Sequence, residues 1–126
     1  MGSKILVVDD EPFMDRLMQY HLGRAGYQLV SARNGREALD LARSEAPRLV
    51  IMDIMMADVD GLTALKGLKQ DETTRAIPVI MITANPQAIT RQECESAGAA
   101  IFLTKPFSPT RLLQEIRRLI PEAANS

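Results

Sequence analysis

The sequence predicts an α/β fold: a three-layer (βα)5 sandwich with a parallel sheet in the order 2-1-3-4-5. Three observations predict it. Apolar runs of strand length alternate five times with stretches of helical apolar period. The runs at 5–8, 49–52 and 79–82 are continuous, as expected of strands covered on both faces. Carboxylates or hydroxyls follow these runs, at the sheet edge where open α/β folds place their chemistry.

Ile5-Leu6-Val7-Val8 is the first buried strand and runs into Asp9-Asp10-Glu11. Pro12 suits the first position of a helix, where a missing N–H loses no partner. Met14, Leu17, Met18, His21, Leu22 and Ala25 form one apolar face, and Gly26 ends that helix. Gln28-Leu29-Val30-Ser31 is shorter and more polar, which suits an edge strand. Asn34-Gly35 is a turn, and Ala38, Leu41 and Ala42 mark a second helix closed by Pro47. The central strand, Leu49-Val50-Ile51-Met52, leads straight into Asp53. A loop through Asp58, Asp60 and Gly61 leads to a third helix with Leu62, Leu65 and Leu68 inward. Pro78 to Ile82 is the fourth strand, with proline tolerated at its first position, and it ends in Thr83-Ala84. The fourth helix, about residues 88–97, has the poorest apolar stripe (Ile89, Cys94 and Ala97), and Gly98 ends it. Ala100 to Leu103 is the fifth strand, followed by Thr104-Lys105-Pro106. Leu112, Leu113, Ile116, Leu119 and Ile120 define the last helix, which Pro121 stops.

The second and fifth strands are the least suited to the middle of the sheet, so right-handed crossovers give the flavodoxin-like order. First and third strands are then neighbours. Asp9 and Asp10 face Asp53 across the switch-point crevice, and Thr83 and Lys105 lie on the same rim.

The chain of 126 residues suits one domain spanning 1–126, with a core from about 4 to 120. A net charge of −1 leaves no electrostatic footprint for nucleic acid or an anionic membrane surface. The single cysteine, Cys94, excludes a disulfide framework and a CxxC motif, and fits a reducing, cytoplasmic compartment. No apolar run approaches a membrane span and no signal peptide is evident.

Three carboxylates in one crevice repel one another, and a hard divalent cation is the simplest relief. Mg²⁺ takes oxygen ligands, usually one or two carboxylates, waters and a phosphate oxygen. Asp10 and Asp53 are the candidate direct ligands, Asp9 a ligand through a water, and the Met55 carbonyl a backbone ligand. A carboxylate can also be a nucleophile, giving an aspartyl-phosphate. Phosphoryl transfer needs positioning and charge neutralisation above all. Lys105 would supply a mobile point charge, and the Thr83 hydroxyl would donate to a phosphoryl oxygen. Lys105-Pro106 is a candidate cis peptide.

Val8-Asp9-Asp10-Glu11-Pro12, Asp53 with Met56 and Asp60-Gly61 behind it, Thr83-Ala84, Ala97-Gly98-Ala99 and Lys105-Pro106-Phe107 stand in order along nearly the whole chain. In this the sequence resembles the receiver domain of two-component response regulators, in the manner of the chemotaxis regulators. The resemblance implies that Asp53 accepts a phosphoryl group from the phosphohistidine of a sensor histidine kinase or phosphotransfer protein, with Mg²⁺ required. It implies a phosphoacceptor switch that promotes only its own phosphorylation and dephosphorylation, not an enzyme acting on other substrates. Thr83 and Phe102 would form the switch. As the Thr83 hydroxyl moves toward the phosphoryl group, Phe102 can turn inward. The face made by the fourth helix, fifth strand and last helix would then bind a partner or a second copy, with Arg111, Glu115 and Arg118 as polar contacts. The chain departs from the family pattern at Ala57, where proline is usual, and at Ile101, a position often small or polar. Phe102 replaces the usual tyrosine and brings no hydroxyl.

Other residues have plainer readings. Glu11 reads as a helix N-terminal charge, Asp58 and Asp60 as turn-shaping groups, and Cys94 as a small packing residue. His21, the only histidine, reads as a packing or boundary residue, so the donor histidine belongs to another protein or domain. A phosphatase of the haloacid-dehalogenase type wants a second aspartate two residues after the nucleophile, where Met55 stands. A flavin or nucleotide carrier would need N–H groups where this crevice is acidic, and no GxGxxG or Walker sequence is present. The complete five-residue set argues against a receiver that works by contact alone. Neither nucleic acid nor membrane is an expected partner of this domain, which reads as a stand-alone regulator or as a receiver excised from a larger protein.

Overall fold

Five short apolar runs pair side by side in the computed structural model of the chain, which describes residues 3–56, 60–86 and 91–121. The strands are β1 (Lys4–Val8), β2 (Gln28–Ala32), β3 (Leu49–Asp53), β4 (Val79–Thr83) and β5 (Ile101–Thr104). The helices are α1 (Pro12–Arg24), α2 (Gly35–Glu45), α3 (Gly61–Gln70), α4 (Arg91–Ser96) and α5 (Pro109–Leu119). All pairings are parallel, in the order β2-β1-β3-β4-β5. This is the flavodoxin-like arrangement, with the polar β2 at one edge.

Strand side chains alternate between faces with period two, so each central strand feeds two cores. Leu6, Val8, Val50, Met52, Val79, Met81 and Phe102 pack with Ala38, Ala42, Ala64, Leu65, Leu68 and Cys94, from α2, α3 and α4. Ile5, Val7, Leu49, Ile51, Ile80, Ile82 and Leu103 pack with Met14, Met18, Leu22, Leu112, Ile116 and Ile120, from α1 and the α5 end. Burying each of the larger side chains stabilises the fold by about 1.5–3 kcal/mol. Among the described residues, Asn34, Asp60 and Ser108 cap their helices, each accepting an N–H three residues on.

A few boundaries differ from the sequence reading. β4 begins at Val79 because the Pro78 carbonyl, not an amide, serves the ladder, accepting from Val50 N–H at 3.0 Å. β5 starts one residue later than expected and takes in Thr104, which pairs with Thr83. α5 stops at Leu119, since Ile120 precedes proline and leaves the helical region at φ −132. α4 is described over Arg91–Ser96, with Gly98 at φ +108 behind it. Ala57, Asp58 and Ile89 lie outside the described residues. Among the described residues no helix is long and apolar enough to cross a membrane.

Candidate functional site

The register of β1 on β3 pairs Val8 with Met52, and one residue further Asp9 and Asp53 leave the sheet side by side. Asp53 is only 6% exposed. Its Oδ1 accepts from the Met55 N–H at 3.0 Å, and its Oδ2 accepts from Lys105 Nζ at 3.1 Å. Lys105 follows β5, held by its own N–H to the Thr83 carbonyl at 2.8 Å, and the Lys105–Pro106 bond is cis. Its ammonium also lies 3.5 Å from Asp9 Oδ2 and 3.9 Å from Glu11 Oε1. Asp9 Oδ1 accepts the Glu11 N–H at 2.8 Å, which fixes the buried carboxylate at the start of α1. Asp10 is exposed at the mouth, and one oxygen from each of Asp9, Asp10 and Asp53 falls within 4.8 Å of the others.

Among the described residues, the Lys105 ammonium is paired with Asp9 and Asp53, while Asp10 and Glu11 add negative charge at the rim. Burial drives the Asp9 carboxyl up to about 6; the Glu11 amide opposes that, and the charge of Asp53 reinforces it against Lys105. Burial would lower the Lys105 ammonium, but Asp9 and Asp53 reverse this and hold its pKa above the usual lysine range. A crowded set of hard oxygen donors with excess negative charge fits Mg²⁺. Beside it lies a cavity of about 540 Å³ lined by Asp9, Asp10, Glu11, Asp15, Ser31 and Glu37 among others. On the other side an apolar groove of about 390 Å³, formed by Phe13, Met14, Leu17, Ala84, Pro106 and Phe107, runs past Lys105.

Of the residues singled out in the sequence, Asp9, Asp10, Asp53 and Lys105 are brought into one cluster. Thr83 ends β4 one residue beyond Ile82, the partner of Asp53, and is fully buried, its Oγ1 accepting the Asn85 N–H at 3.0 Å. Met55 is half exposed, with its amide turned to Asp53. Phe102 differs from expectation: it is already inward, 3% exposed, in the cluster with Met56, Met81 and Cys94. A ring without a hydroxyl gains nothing from facing water. Arg111 and Arg118 both pair with Glu115, so these three satisfy one another within the protomer. Glu11 stays on the exposed rim, Cys94 is buried packing, and half-buried His21 stands edge-on to the Tyr20 ring, 5.0 Å between centroids.

Two features escaped the sequence reading. The Met55 amide that holds Asp53 carries no signal in residue type. Gly61 belongs with Asp60 to the family pattern, but the reason for it is a close backbone approach: a Cβ there would lie 2.4 Å from the Asp53 carbonyl oxygen and 2.7 Å from Ile54 Cα. The first turn of α3 is thus pressed against the backbone of the site, with the Gly61 N–H donating to the Ile54 carbonyl at 3.0 Å. The Asp60-Gly61 pair behind a strand ending in aspartate was the available clue.

A parallel sheet of this order thus carries a carboxylate trio and a lysine together on its carboxyl rim. The chain belongs to the response regulator receiver domain family, which it matches over residues 5–117, and so to the two-component signalling proteins. It is 34% identical over 123 residues to the polar-differentiation response regulator DivK of Brucella anthropi, covering 98% of this chain and 100% of that protein. It is 37% identical over 120 residues to the alkaline phosphatase synthesis transcriptional regulatory protein PhoP of Bacillus subtilis, covering 95% of this chain but only 49% of PhoP. Among solved structures, the receiver domain of sensor histidine kinase PA1611 from Pseudomonas aeruginosa superposes with a TM-score of 0.88 at 29% identity, covering 96% of this chain and 99% of that one. That structure has a magnesium ion coordinated in its active-site cleft. The chemotaxis protein CheY4 of Vibrio cholerae gives 0.87 at 30% identity, covering 94% of this chain and 99% of that one.

Proposed function

We propose that residues 1–126 form one receiver unit in which Asp53 is the phosphoacceptor, loaded by the phosphohistidine of a sensor histidine kinase or phosphotransfer protein. The observation that carries this reading is the Lys105 ammonium shared between Asp53 Oδ2 at 3.1 Å and Asp9 Oδ2 at 3.5 Å. In the transfer, an Asp53 oxygen attacks phosphorus, the P–N bond breaks, and imidazole leaves with its electron pair and takes up a proton. Lys105 neutralises charge on the acceptor and phosphoryl oxygens, and the Thr83 hydroxyl donates to a phosphoryl oxygen. Asp10 and Asp53 would hold Mg²⁺ directly, Asp9 through a water and Met55 through its carbonyl; the ion supplies charge neutralisation to the phosphoryl group. The protein is a switch that promotes its own phosphorylation and dephosphorylation, in the cytoplasm.

The apolar groove past Lys105, with Phe13 exposed on it, offers the donor protein a surface beside the acid pocket. The readout lies elsewhere. Thr83 and Phe102 lie on neighbouring strands, and the face of α4, β5 and α5 is the proposed site for an effector or a second copy. The test uses phosphoramidate, a small P–N donor that stands in for phosphohistidine. Intact mass should show one added phosphoryl group with Mg²⁺ and almost none with chelator, and Lys105→Ala should slow the reaction about 10-fold or more. Equal labelling with and without metal, or at an unchanged rate in Lys105→Ala, would contradict the reading.

A further inference from the structure

Helix α4, over its described residues, buries little of itself. Over Arg91–Ser96, Cys94 is its only buried side chain. Its carbonyls are tied down at the far end, where Ala97 N–H bonds to Glu93 and Cys94, Gly98 N–H to Glu95 and Ala99 N–H to Cys94. At the near end the exposed Arg91 lays its guanidinium over the buried Phe102 ring, with Cζ 5.2 Å from the ring centroid. A cation over an aromatic face is attracted by the ring quadrupole, and a planar guanidinium adds stacking. Phe102 has no hydroxyl, so no hydrogen bond of its own can hold the ring in or out.

We infer that Arg91 and Phe102 form an aromatic latch: the guanidinium on the ring pins the start of α4 to β5, so that the inward ring and the closed helix are one cooperative unit. The latch itself does not depend on the reading of Asp53. That reading supplies only its use, since opening the latch reshapes the α4 and β5 surface proposed as the output face. Arg91 would thus set how readily this surface moves, a role that neither the acid pocket nor Thr83 fills.

A double-mutant cycle on the full chain tests this, with Arg91→Gln, Phe102→Leu and both together, following amide exchange of Ala97, Gly98 and Ala99 by NMR without metal or phosphodonor. Arg91→Gln should speed exchange about two- to five-fold, the range a surface cation–π contact supports. In the Phe102→Leu background the same substitution should add nothing. Should Phe102→Leu fail to fold, Phe102→Met, which also lacks the ring, completes the cycle. Unchanged exchange in Arg91→Gln, or equal acceleration with and without the ring, would overturn the latch. A protein that accepts no phosphoryl group would return the same cycle, so failure at Asp53 and failure of the latch are separate results.

Discussion

At the scale of single residues, Asp9 shows what the site stores. Burial and the nearby Asp53 push its carboxyl up to about 6 although Lys105 stands 3.5 Å away, so its ionised form strains the metal-free protein at neutral pH. Asp9→Asn removes that charge and keeps an oxygen for the Glu11 amide. It should therefore raise metal-free stability at pH 7.5 by on the order of 1 kcal/mol, and it should reduce the added stability that Mg²⁺ confers. Urea melts with and without metal check both effects, and a destabilised variant would contradict the argument. Gly61 acts in the opposite sense. A methyl group 2.4 Å from the Asp53 carbonyl oxygen has only backbone to push against, so Gly61→Ala should destabilise by about 1–3 kcal/mol. It should also slow phosphorylation by displacing the strand end. Unaltered melts and rates would mean that α3 can slide away. The Gly61 effect depends on which backbone atoms approach which, and residue types alone do not carry that information.

At the scale of elements, the sequence was most legible where burial is two-sided. The continuous runs of β1, β3 and β4 were found to within a residue, because a strand covered on both faces admits almost no polar side chain. Phe102 packs on the α4 side of the sheet, and a strand period names at most a face and not a rotamer, so the ring's inward state could not be read. The segment after α3 was illegible for another reason: its order rests on local polar bonds. Thr74 Oγ1 donates to the Leu68 carbonyl at 2.6 Å, and Lys69 Nζ donates to the Arg75 and Ile77 carbonyls at 3.1 and 2.8 Å. Arg43 of α2 reaches Asp71 at 2.5 Å. The Arg43 hydrogen bond, then those from Thr73, hold the Asp71 carboxyl down at about 2 against an ordinary 3.8. A carboxylate whose folded pKa is depressed stabilises the fold fully above about pH 4 and loses that contribution as pH falls toward 2. Asp71→Asn should therefore weaken the protein at pH 6 and flatten the acid limb of its stability profile between about pH 4 and 2. Thermal melts across that range check it, and parallel profiles for the two proteins would show that the pair contributes nothing.

At the scale of the whole molecule, two cores share one sheet, and the acid pocket lies where strands from both sides end. Asp53 leaves β3 and Asp9 leaves β1, while Lys105 arrives from beyond β5, an edge strand; the strand order is what lets one ammonium reach both carboxylates. The proposed output face shares β5 with that lysine and α4 with the Phe102 core, so a change at the rim need travel only one strand. The phosphoacceptor role of Asp53 is the central claim. Its most direct test is to treat the protein and Asp53→Asn with acetyl phosphate and Mg²⁺, reduce the acyl phosphate with borohydride to mark its position, and map the modified peptide by mass spectrometry. A single mark is expected, at Asp53, with none in the variant. A mark at another residue of the wild type, or undiminished labelling of Asp53→Asn, would contradict it.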